Sequence, residues 1–179
     1  MTPIFKTAAL AGLSVLLLTG CQSAKMKALC PAANILANTS AMTVFKPGMQ
    51  GDPAGELFSI QIVSVTPSCS VDVDEGTTES SLDITFRATR APSGDVANFA
   101  APYYVASLLD GASILDKKML ATAFAFEPGQ STITFTETVP SVLIKLDNGK
   151  KPYQYSLLVG LQLTREQLDY AKNHGRFTP

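Results

Sequence analysis

Ser81-Leu82-Asp83-Ile84-Thr85-Phe86-Arg87-Ala88-Thr89-Arg90 decides the fold class of this chain. In an extended backbone Leu82, Ile84, Phe86 and Ala88 fall on one side, and Asp83, Thr85, Arg87 and Thr89 on the other. A helix would scatter both sets, because its side chains repeat every ~3.6 residues and those of a strand every two. Alternation with one wet face is the pattern of an antiparallel sheet packed on one side.

The same period recurs in both directions. In residues 131–139, Ile133 and Phe135 point inward while Thr132, Thr134, Thr136 and Thr138 point outward. In residues 57–65, Phe58, Ile60 and Ile62 share a face opposite Ser59 and Gln61. Pro67 is expected to interrupt that strand, with residues 68–73 resuming it. Residues 42–46 form a short strand ended by Pro47-Gly48. Residues 92–102 read as a loop bounded by prolines, followed by a strand over 103–109. Asp110-Gly111 favours a type I′ turn into a return strand over 113–126, long enough to hold a bulge. Asp74-Glu75-Gly76, Pro128-Gly129 and Asp147-Asn148-Gly149 are further turns. Residues 153–163 form a long apolar strand. Residues 30–38 fit either a turn of helix or an extended lead-in.

Thr164 followed by Gln167 is a capping box, with Glu166 adding negative charge to the first turn. The helix it opens is expected to stop within 173–175. Seven or eight strands and one terminal helix predict a single all-β domain over 30–179. It is mainly antiparallel, an immunoglobulin-like or fibronectin type III-like β-sandwich with a short C-terminal helix. A small barrel is the alternative. Hydrophobic content of 46% supplies a core without tryptophan.

The first twenty residues have a different character. Lys6 precedes an apolar run over 8–18, too short for the ~20 residues a membrane-crossing helix needs. The run ends in Leu18-Thr19-Gly20-Cys21, and a short apolar run closed by small residues reads as an export signal. These four residues resemble the lipobox of bacterial lipoproteins. The resemblance implies cleavage between Gly20 and Cys21 and acylation of Cys21, with residues 1–20 as the signal peptide and 21–29 as a lipidated tether. An ordinary signal peptide is the plainer reading. Gln22, where the enterobacterial sorting rule places Asp in proteins kept in the inner membrane, implies the outer membrane. Removing the leader takes away Lys6 and no acid. The mature chain is therefore slightly acidic and carries no basic footprint for nucleic acid.

With Cys21 consumed by lipid, Cys30 and Cys69 remain as an even pair in an oxidising compartment, which predicts one disulfide. Two buried thiols are the alternative. Only residues 22–29 separate Cys21 from Cys30, so the tether reaches roughly 30 Å at most. The whole layout resembles a family of uncharacterised alphaproteobacterial lipoproteins. The matching pieces are Cys21, Cys30-Pro31 with Ile35-Leu36, Cys69, Pro102-Tyr103-Tyr104-Val105-Ala106, and Val159-Gly160-Leu161-Gln162-Leu163-Thr164 with Gln167-Leu168. This resemblance implies export and lipidation and brings no activity with it.

Chemistry is sparse. There is no Gly-x-Ser-x-Gly nucleophile motif, and the one histidine, His174, stands near the C-terminus. Asp72, Asp74 and Glu75 before Gly76 lack the later carboxylate of a calcium loop and read as a solvated turn. The threonine row reads as a wet sheet face, and Lys117-Lys118 and Lys150-Lys151 as edge and solubility charges. Phe99 in its Pro-bounded loop, with one of Tyr103 and Tyr104, is expected to form an exposed aromatic patch for a partner. No catalytic group, metal or cofactor is assigned. The function expected is a membrane-anchored, non-enzymatic envelope module that contacts another envelope protein. The alternative is a module holding a lipid or other apolar ligand between its sheets, where Ala121, Ala123 and Ala125 would leave room.

Overall fold

The computed structural model describes residues 30–174. Eight strands form two four-stranded sheets. They are β1 (Ala32–Ile35), β2 (Ala41–Phe45), β3 (Glu56–Asp72), β4 (Thr77–Thr89), β5 (Ala97–Leu109), β6 (Ser113–Phe126), β7 (Thr132–Lys145) and β8 (Tyr155–Leu161), followed by one helix, α1 (Arg165–Asn173). One sheet has the order β1-β8-β5-β6 and the other β2-β3-β4-β7. All pairings are antiparallel except β1 with β8. The chain is an all-β sandwich, as the alternation predicts. Its strand order contains a β2–β3–β4 meander within one sheet, which the ABED/CFG order of immunoglobulin constant domains does not.

The opening segment behaves as read. Leu82, Ile84, Phe86 and Ala88 are fully buried between the sheets. The inward row extends back through Thr78 and Ser80, which hydrophobic patterning does not reveal. Asp110 and Gly111 both take positive φ (50° and 70°), and Ala112 N–H donates to the Leu109 carbonyl, completing the expected type I′ turn. Thr164 Oγ1 accepts from Gln167 N–H, and Gln167 Oε1 accepts from Thr164 N–H, so the capping box forms.

Three expectations need correction, and two of them concern proline. Pro67 does not interrupt β3, because β2 ends opposite Gln61 and leaves that edge of β3 open at residue 67. Residues 97–102 are strand, not loop. Pro102 lies just past the last β8 partner, Tyr103, where its carbonyl still accepts from Gln162 N–H, so the proline forfeits only a donor at the very end of that ladder. Proline costs a ladder bond only where a neighbour would accept one. The third correction shortens the last strand. Residues 152–154 form a 3-10 turn, with Pro152 at its start, before β8. Residues 30–38 settle as the short strand β1 and a 3-10 turn over Ala37–Thr39.

A bulge in β3 sets the geometry of the disulfide. Ile62 faces Phe86, yet Ser64 faces Thr85, so Val63 is the extra residue. Before the bulge Phe58, Ile60 and Ile62 point inward; after it the parity flips, and Val65, Pro67 and Cys69 share the side of Ile84, Leu82 and Ser80. Without the extra residue Cys69 would face away from the core.

Candidate functional site

The turns between strands collect at the two ends of the sandwich. One end holds Cys30 at the start of β1, the β3–β4 turn, the β5–β6 turn and the β7–β8 loop. The other holds the β2–β3, β4–β5 and β6–β7 connections and α1.

At the first end Cys30 and Cys69 form the expected disulfide, with Cα atoms 5.8 Å apart. The bond ties the edge strand β1 of one sheet to β3 of the other. It closes a loop of 39 residues, contributing about 4 kcal/mol if the bridge acts by restricting the unfolded chain. The interior here mixes buried Ile144, Tyr155 and Leu157 with hydroxyls. Thr78 Oγ1 donates to the Ser70 carbonyl, Ser107 is buried, and buried Ser80 Oγ has no hydrogen-bond partner.

The loops of this end brace one another. Lys150 Nζ meets Asp110 Oδ2 at 2.7 Å, which holds the lysine pKa above its ordinary value. Asp110 N–H donates to the Gln154 carbonyl, and Asp147 N–H to the hydroxyl of buried Tyr155. The Asp72 carboxylate accepts from Asp74 N–H and Glu75 N–H, so it closes its own turn. Among the described residues no group of three or more His, Cys, Asp or Glu side chains is placed to hold a metal ion. Between the β3–β4 turn and the β7–β8 loop lies an open groove of about 330 Å³, lined by Val71, Val73, Leu146, Lys151 and Pro152 among others. Val73 is 85% exposed.

The opposite end is closed by the chain itself. Phe58, Phe99, Phe124 and Phe126 fill the space between the sheets with ring centroids 4.5 to 6.1 Å apart. Arg90 donates to the carbonyls of Asp95, Glu127 and Gln130, tying two loops together, and its guanidinium lies over the Phe126 ring. Helix α1 lies against β2 through the Phe45–Tyr170 edge contact. A groove of about 340 Å³ remains between α1, β2 and the loop at Gln50-Gly51.

The expected aromatic patch does not exist as a surface. Phe99 packs into the core, and Tyr103 is fully buried with its hydroxyl donating to Glu137 Oε1 at 2.9 Å. Burial first, and then the Glu137 carboxylate, push the Tyr103 hydroxyl above the ordinary tyrosine range. Tyr104 faces the outer side of its sheet, yet only 8% of it is exposed. Its ring lies under Lys117 Nζ at 4.2 Å, and its hydroxyl is 3.0 Å from Thr39 Oγ1. The reading failed because residues 97–102 continue the strand, which gives Phe99 the inward parity of Tyr103. Ala121, Ala123 and Ala125 also correct an expectation: they are exposed on the outer face of β6, while Thr122, Phe124 and Phe126 point inward, so they leave no room between the sheets.

The remaining candidates have local roles. His174 stacks on Tyr170 and pairs with its carbonyl. In the threonine row, Thr136 bonds Thr85 and Thr138 donates to Asp83, so these side chains bond across to β4. Lys118 pairs opposite Val105 on the edge strand β6, on the inward side, where a charge discourages strand addition. Gly20, Cys21 and the segments 1–20 and 21–29 lie outside the described residues. No family model, curated protein or solved structure matches this chain.

Proposed function

We propose that this protein is an exported lipoprotein, acylated on Cys21, held on the periplasmic face of the outer membrane, and working through contacts with another envelope protein. The observation that carries the reading is the Cys30–Cys69 disulfide. It pairs two of the three cysteines and leaves Cys21 as the odd one, directly behind an apolar run that ends in small residues. A disulfide of this kind suits an oxidising compartment. One acyl chain anchors only marginally, whereas two or three hold a protein firmly, so a fully acylated Cys21 needs no further membrane signal.

The test feeds cells an alkyne-bearing fatty acid and compares the native chain with a Cys21→Ser variant. Tagged protein is crosslinked in the envelope and recovered for mass spectrometry. The reading expects label on the native chain alone, and an envelope protein enriched with it and lost with the variant. A native chain that is cleaved but carries no label would overturn the anchor. Labelled chain with no enriched envelope protein would overturn the contact role.

A further inference from the structure

The exposed apolar side chains of this domain are not spread evenly. Val71, Val73, Ile114, Leu115, Leu143 and Tyr153 all stand at or near the end that holds Cys30. Among the described residues, the one large apolar side chain at the opposite end that is exposed to this degree is Val96, while Phe45, Leu168 and Tyr170 there are half-buried. Scattered apolar residues on a surface need no explanation, but a concentration at one end does.

We propose that the Cys30 end of the sandwich is a membrane-seating surface, whose exposed side chains Val73, Ile114, Leu115 and Tyr153 dip into the interface of the bilayer from which the chain hangs. The inference rests on the reading that Cys21 is acylated, and it adds an orientation which that reading does not contain.

Two measures favour lipid as the occupant. The tether between Cys21 and Cys30 reaches roughly 30 Å at most. The 13-residue strand β5, which runs from one end to the other, is about 40 Å long at ~3.3 Å per residue. Cys30 is fixed at its end by the disulfide, so the α1 end cannot face the bilayer with the lipid inserted. The end that the tether brings to the membrane is also the end with exposed apolar side chains. Tethering makes the contact intramolecular, so a weak insertion suffices.

Charge does not drive the contact. Lys145, Lys150 and Lys151 stand at this end, but so do Asp74, Glu75 and Asp147. The carboxylates of Asp72 and Asp110 are already engaged, by the turn and by Lys150. Insertion of apolar tips and of Tyr153, with the long lysine stems lying along the surface, is the mode that this mixture fits.

The experiment uses the full lipidated chain in vesicles of phosphatidylethanolamine and phosphatidylglycerol. V73C, L115C and V96C variants carry an environment-sensitive fluorophore, with the native disulfide and the acyl group verified by intact mass. Vesicles containing lipid brominated along the chain report depth by quenching. The proposal expects quenching at positions 73 and 115 to exceed that at 96 several-fold. Equal quenching at all three positions, or none at any, in chains whose mass includes the acyl group would overturn it. An intact mass without the acyl group would overturn the anchor reading itself, and is distinguished by mass alone.

Discussion

At the α1 end of the sandwich, four phenylalanines fill the space between the sheets; at the Cys30 end, the same layer carries Thr78, Ser80 and Ser107 beside Ile144, Tyr155 and Leu157. The first end buries its large side chains, ties its loops through Arg90 and covers β2 with a helix. The second leaves Val73 and Ile114 in solvent and holds its sheets with a covalent bond. The contrast shows two ways of closing a sandwich. A cluster of aromatic rings closes the α1 end. At the Cys30 end, where buried hydroxyls interrupt the apolar layer, a disulfide joins the sheets and apolar side chains face outward.

Substitutions at the two ends should therefore differ in kind. The largest effect is expected from Phe126→Ala, since Phe126 is fully buried among Phe99, Phe124 and the Arg90 guanidinium. A loss of about 3–5 kcal/mol in denaturant unfolding is expected. A loss below about 1 kcal/mol would mean that the aromatic layer is not the principal support of that end. Next comes Cys30→Ser with Cys69→Ser, expected to cost about 2–4 kcal/mol. Hydrogen exchange should rise first in β1 and in the far half of β3, with the α1 end little changed. Uniform loosening of both ends would break the comparison.

Tyr103 spans the layer between the two regimes and offers a pH test. Its folded-state pKa is raised, so the folded protein keeps the proton at a pH where the unfolded chain loses it. The stability this contributes is present below the ordinary tyrosine value near ~10 and is lost as pH rises above it. Tyr103→Phe should cost about 1 kcal/mol at neutral pH through loss of the bond to Glu137, and should flatten the decline in melting temperature above pH ~10. An unchanged alkaline decline in the variant would assign that decline to other groups. The smallest effect is expected from Ser80→Ala. Ser80 Oγ is buried without a partner, so its removal should be neutral or stabilising by up to about 1 kcal/mol. Destabilisation would indicate a bonded water at the Cys30 end of the core.

The sequence carries the fold more legibly than it carries the site. Alternation at Leu82, Ile84, Phe86 and Ala88 needs only local chemistry, as do the Asp110-Gly111 turn and the Thr164–Gln167 cap. Pro67 and Pro102 mislead because the cost of a proline in a strand depends on what its missing N–H would have met, and that depends on where β2 and β8 end. The same misplaced boundary turned Phe99 into a surface residue. The bulge at Val63, which aims Cys69 inward, leaves no local signal, since a parity change shows only against the partner strand. The cysteine count predicted the disulfide without any of this. The uneven spread of exposed valine, isoleucine and tyrosine becomes visible only when the turns are gathered at their two ends.

The most direct test of the contrast between the ends is hydrogen–deuterium exchange of the full acylated chain on vesicles, compared with the Cys21→Ser chain free in solution. The account predicts membrane-dependent protection confined to residues 72–76, 110–116 and 147–153, with residues 46–55 and 127–131 unchanged. Protection centred on the α1 end, or the same exchange at both ends with and without the membrane, would contradict it.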